Sequence, residues 1–166
     1  KIFFCFITLF FLGLFFSFSS TSSLAGERLN KDYYFFFSKH LIFTFISLNI
    51  MFFISLLETS LLKKIIIPLF IVSFVFLALV PLIGIEVKGA KRWLDFNFFR
   101  LQPVEILKPF FILATVKVLN IDKLQNSQVK YLFSFLILSS VVVLLIDQPD
   151  LGQTVLLVLS WIAIVF

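Results

Sequence analysis

"IIIPLFIVSFVFLALVPLIG", Ile65–Gly84, is a run of twenty residues without one ionisable side chain. At ~1.5 Å per residue a helix of that length reaches about 30 Å, the thickness of the hydrocarbon core of a bilayer. Backbone groups find no water partner in lipid, so the run is assigned as a spanning helix in spite of Pro68 and Pro81. The rest of the chain agrees. Of its 166 residues, 61% are hydrophobic, and the mean hydropathy is +1.12. A soluble domain is about 45–50% apolar. A single water-facing core cannot hide this much apolar surface, and the expected fold is all-α, a polytopic transmembrane helix bundle.

Working outward, five further apolar runs flank this one. Spans are expected at about 2–18, 41–57, 65–84, 104–119, 131–146 and 155–166, forming one integral membrane domain over residues 1–166. The aromatic stretch Tyr33–Phe37 leads into the second. Ser19–Asp32 is a Ser-rich loop, Glu58–Lys64 a tight helix hairpin and Asn120–Lys130 a polar connection. The chain starts at Lys1 rather than Met and stops at Phe166 inside the run "VLLVLSWIAIVF", so a piece of a longer protein is expected. Ser23-Leu24-Ala25 imitates a signal-peptide cleavage site, but more spans follow, and the first run is read as a retained helix. Cys5 has no second thiol to pair with and no metal-site spacing, which leaves a small packing residue. His40, beside Lys39, is read as an interfacial residue rather than a ligand.

The charges are less ordinary. A net charge of +5 is spread over span-flanking loops, not gathered on a soluble basic face, which argues against nucleic acid binding. With the amino end cytoplasmic, Lys1, Lys63, Lys64, Lys117, Lys123 and Lys130 fall inside. Arg28, Lys31, Lys39, Lys88, Lys91, Arg92 and Arg100 then fall outside, and six against seven sets no orientation. Four of those seven sit in "EVKGAKRWLDFNFFRLQPVE", Glu86–Glu105. That loop reads either as an interfacial segment, with Trp93 in the aromatic belt and the cations snorkelling, or as a site for a phosphate or pyrophosphate head group.

Two more stretches break the apolar pattern. In "QPVEILKP", Gln102–Pro109, Pro103 suits a first helical turn and Gln102 its cap. Glu105 and Lys108 are three apart on one face, either a self-neutralising pair or a polar site within the membrane. In "DQPDLGQT", Asp147–Thr154, Pro149 and Gly152 separate two helices and place Asp147 and Asp150 on the same side as the basic loop. Acids there can neutralise the loop, accept a proton, or hold a divalent cation such as Mg²⁺ shared with a pyrophosphate. A plain connecting turn is the competing reading.

"GIEVKGAKRWL", "QPVEILKP" and "QPDLGQT", in this order and at helix junctions, resemble the SEDS family, the FtsW/RodA/SpoVE group. The pattern is closer to the cell-division branch, FtsW, than to the elongation branch, RodA. The resemblance covers most of the chain from Ile65 onward. It implies about ten transmembrane helices, of which about six are expected here, with both ends cytoplasmic and the basic loop outside. It implies a multi-pass protein of the bacterial inner membrane, at the division septum. It also implies a peptidoglycan glycosyltransferase that polymerises lipid II and works with a penicillin-binding transpeptidase and other division proteins. A lipid II flippase and a non-catalytic scaffold for the transpeptidase are the alternatives. Residue by residue, the resemblance carries substrate binding onto Lys91, Arg92, Trp93, Gln102, Glu105, Lys108 and Asp150, with Lys88 joining them from the same loop. Val104 stands where the family usually has Ser, and Asp147 matches no family acid. The family's proposed catalytic Asp lies in an outer loop after the seventh helix, so no catalytic residue is expected among these residues, and this chain alone is expected to be inactive.

Overall fold

The structure is a computed structural model that describes residues 2–21, 34–87, 89–96, 99–121 and 126–166. The chain forms two compact units, Lys1–Glu58 and Thr59–Phe166. It is all-α apart from one small sheet. Among the described residues, three helices are long and apolar enough to cross a membrane, Phe37–Ser55, Thr59–Ile83 and Ser127–Asp147, and Phe4–Ser19 and Leu151–Val165 are shorter apolar stretches.

The first unit is a helix pair, α1 (Ile2–Thr21) packed on α2 (Phe35–Ser55). Phe18 joins the pair, 5.3 Å from the Phe37 ring centroid and stacked on Tyr34. His40 lies across from Gly13, where a side chain on Gly13 would meet its imidazole. Most other described side chains point outward, many of them Phe, as suits helices whose surroundings are lipid. α2 begins at Phe35 rather than near residue 41. No Pro or Gly interrupts that stretch, and the Lys39 ammonium sits 4.8 Å from the Phe35 ring centroid one turn away, so the early polar residues stay helical.

In the second unit, α3 (Thr59–Ile83) leads into three strands, β1 (Ile85–Val87), β2 (Ala90–Asp95) and β3 (Arg100–Leu101). Then come α4 (Pro103–Leu119), α5 (Ser127–Asp147) and α6 (Leu151–Val165). The strands fall between two of the expected spans, in the stretch read from sequence as a basic loop, so the helical assignment of the apolar runs is unaffected. The strands pair antiparallel in the order β1-β2-β3. Val87 pairs with Ala90 across a two-residue turn, and Gly89 there has a φ of 80°, in the left-handed region glycine enters without strain. The sheet lies between the end of one helix and the start of the next, at one end of the unit, where an open edge is tolerated.

α4 is the hub, touching α3, α5 and α6. Its Val104, Leu107, Phe111 and Ala114 are buried at helical spacing. They pack with Leu77 of α3, Leu138, Val141 and Leu145 of α5, and Leu157 of α6. This core fixes α4 against the start of α6, and so positions the polar residues at the sheet end.

Candidate functional site

The sheet end brings together Arg92 of β2, Gln102 and Glu105 at the start of α4, and the α5–α6 turn. Ile85 pairs with Trp93 and Glu86 with Lys91, so Arg92 is the extra residue of a β-bulge, which re-aims its side chain, while Leu94, 3% exposed, anchors the strand on the helices. Arg92 therefore reaches the turn. Its Nε donates to the Gln148 carbonyl at 3.3 Å and its Nη2 to the Pro149 carbonyl at 2.5 Å. These carbonyls follow the last turn of α5, where the helix dipole is negative and backbone acceptors lack helical partners. Arg92 Nε also lies 3.7 Å from Asp150 Oδ2.

Asp150 is 7% exposed. Its carboxylate takes Arg92 on one side and is 3.5 Å from Gln102 Nε2 on the other. Its main-chain oxygen opens α6 by accepting from Thr154 N at 3.1 Å and Thr154 Oγ1 at 2.9 Å. Gln102 occupies the cap position of α4 as expected, but its side chain makes no cap hydrogen bond and turns to Asp150 instead. The Gln102 carbonyl accepts from Glu105 N at 3.1 Å, so the cap is made by the main chain.

One turn further on, Glu105 and Lys108 pair at 2.6 Å, the self-neutralising contact their spacing predicts. Glu105 also accepts from Gln153 Nε2 at 3.0 Å. Gln102 and Glu105 on α4 thus face Asp150 and Gln153 on α6, three residues apart on each helix, and the two helices run in the same direction. Gln153 was missed by sequence reasoning, although its place one turn after Asp150 was a usable signal.

Gln148 was also missed. It is 3% exposed, and its Nε2 donates to the Leu77 carbonyl at 3.1 Å. Leu77 stands four residues before Pro81, whose missing N–H leaves that carbonyl without its helical donor. A neighbouring helix end supplies the replacement, the usual remedy for an intramembrane proline.

The remaining predicted residues lie around this junction. Lys91 is exposed, pairs in register with Glu86 and lines a 310 Å³ cleft with Glu86, Asp147 and Pro149. Trp93 lines a separate 220 Å³ cleft with Val87 and Arg100. Arg100 itself pairs with Asp95 at 3.3 Å. Lys88 lies outside the described residues. Among the described residues no group of three His, Cys, Asp or Glu is placed to hold a metal ion. Glu86 and Asp147 are the carboxylates that share a cleft, and a divalent cation between them would draw its other ligands from water or phosphate oxygens.

A family model described as "Cell cycle protein", covering FtsW, RodA and SpoVE, matches residues 1–166. Among curated relatives, a Wigglesworthia glossinidia brevipalpis protein named "Probable peptidoglycan glycosyltransferase FtsW" is 32% identical over 99% of this chain and 44% of its own length. A Caulobacter vibrioides protein of the same name is 30% identical over 90% of this chain and 38% of its own. The chain thus spans about two-fifths of these relatives. Among solved structures, a chain described under "Structural coordination of polymerization and crosslinking by a peptidoglycan synthase complex" aligns with a TM-score of 0.73 at 26% identity, over 92% of this chain and 43% of that one. Thermus thermophilus rod shape determining protein RodA aligns with a TM-score of 0.65 at 28% identity, over 87% and 49%.

Proposed function

The chain belongs to the FtsW/RodA/SpoVE family, and from that premise we propose that the protein polymerises lipid II into glycan strands in the bacterial inner membrane, at the division septum, beside a penicillin-binding transpeptidase. The names of the curated relatives and of the synthase complex support this reading. The observation that carries it on the molecule is the junction at the sheet end, where cationic and amide side chains line the mouth of a helix bundle. Charged groups near a membrane are costly unless they serve a site, and these flank open clefts.

In the reaction, the acceptor's 4-hydroxyl oxygen bonds to the anomeric carbon with inversion. The bond from that carbon to the pyrophosphate oxygen breaks, and the hydroxyl proton passes to a carboxylate. The departing pyrophosphate gains charge that fixed cations stabilise. Lys91 is the residue of this stretch best placed for that task, because it is exposed on its cleft. Arg92 is occupied by Asp150 and two carbonyls, so it holds the turn in place. Lys88, of the same loop, and Trp93, on the neighbouring cleft, are further ligands for the head group. Glu105, Lys108, Gln102 and Asp150 set the register of α4 and α6 beneath it.

The test is a lipid II polymerisation assay on the whole protein. Lys91→Ala is expected to lower the rate by roughly tenfold to a hundredfold, as loss of one transition-state cation does, with membrane insertion intact. Polymerisation at the unaltered rate would overturn the assignment of Lys91, and lipid movement across vesicles without polymer would replace the reaction by transport.

A further inference from the structure

At the end of the second unit opposite the sheet, α3 starts, α4 finishes and α5 starts. Two clefts meet there. One, of 520 Å³, runs between α3 and α4, with walls of Leu62, Ile66, Leu113 and Val116 and with Lys63 and Lys117 at its rim. The other, of 340 Å³, shares Val116 and Asn120 with the first and adds Lys130. Among the described residues no acid lines either cleft. The ion pairs Arg92–Asp150, Arg100–Asp95 and Lys108–Glu105 involve none of these lysines. Lys117 bends across the groove so that its Nζ donates to the Lys63 carbonyl at 2.5 Å, which ties α4 to α3 and leaves two ammonium protons for another acceptor.

We propose that this groove holds an anionic glycerophospholipid. The phosphodiester lies between Lys63 and Lys117, with Lys130 on its far side, and an acyl chain runs along Leu62, Ile66, Leu113 and Val116. Charge complementarity selects this occupant. An apolar trough that ends in lysines without an acid partner among the described residues matches a molecule with an apolar tail and a net negative head. A zwitterionic lipid would bring its own cation against the lysines. A water-soluble anion would leave the apolar walls uncovered. The site is independent of the lipid II reading, since it uses the other end of the unit and other residues.

The experiment is native mass spectrometry of the delipidated whole protein in detergent, incubated with phosphatidylglycerol or phosphatidylcholine of the same acyl chains. The unaltered protein is expected to retain phosphatidylglycerol at least tenfold better. With roughly fivefold contributed by each lysine, Lys63→Gln with Lys117→Gln should lower the ratio by at least tenfold, and Lys39→Gln, a charge removed outside the groove, should leave it unchanged. Lys117→Gln alone keeps a donor for the Lys63 carbonyl, so it reports the loss of charge even where the double variant folds poorly. Equal retention of the two lipids, retention of neither, or a preference that survives Lys117→Gln undiminished would overturn the proposal.

Discussion

Arg92 illustrates how far a residue can be read from sequence. Its place in a basic loop, on the same side as Asp150, was legible from the number of crossings between them. Its use was not. The sequence left the loop as an interfacial segment or a phosphate site, and the register shift in β2 that aims Arg92 at the α5–α6 turn appears only once the strands are paired. Asp150 is buried and its charge is compensated by Arg92 and Gln102. Removing one partner leaves a charge in a poor solvent, whereas removing both is far milder. Arg92→Ala is therefore expected to lower stability in detergent by about 1–3 kcal/mol, and adding Asp150→Asn should return a good part of that loss. Thermal or chaotrope unfolding of the four combinations checks it. Strictly additive losses would mean that the two side chains do not act together.

At the scale of elements, the six helices were legible because apolar length is the signal and a bilayer leaves few alternatives. Their ends moved outward by a few residues wherever polar side chains could remain helical, as at Phe35 and Thr59. The sheet was not expected, because the basic stretch between two spans was read as a loop. In retrospect Ile85-Glu86-Val87 alternates and Gly89 marks the turn. The tie between α3 and α5 shows what spacing alone cannot convey. Pro81 announces an orphan carbonyl at Leu77, but nothing nearby in sequence says that Gln148 fills it. Gln148→Leu should destabilise the protein by about 1 kcal/mol, the scale of hydrogen bonds between membrane helices. In a Pro81→Ala background the same change should cost much less, because residue 81 regains the N–H that Leu77 needs. A double-mutant cycle by unfolding in detergent measures this, and an undiminished cost in that background would rule out the proline as the reason for the bond.

At the scale of the whole molecule, composition alone foretold a multi-pass membrane protein, and the ordered motifs foretold its family. What they could not divide was the cationic charge. Six lysines against seven lysines and arginines looked like a tie. In the second unit those charges do different work at the two ends. Arg92 and Arg100 are paired with acids beside the sheet, and at the opposite end Lys63 and Lys117 line an apolar cleft and Lys130 the more polar one beside it. Substrate phosphates are accordingly expected at Lys91 and not at the lysine-rimmed groove. The most direct measurement places a photo-crosslinking amino acid at residue 91 of the whole protein, in vesicles that contain lipid II. A lipid II adduct at residue 91, displaced by excess unlabelled lipid II, is the expected result. An adduct absent at 91, or equally strong from a probe at residue 63, would contradict a pyrophosphate site at the sheet end.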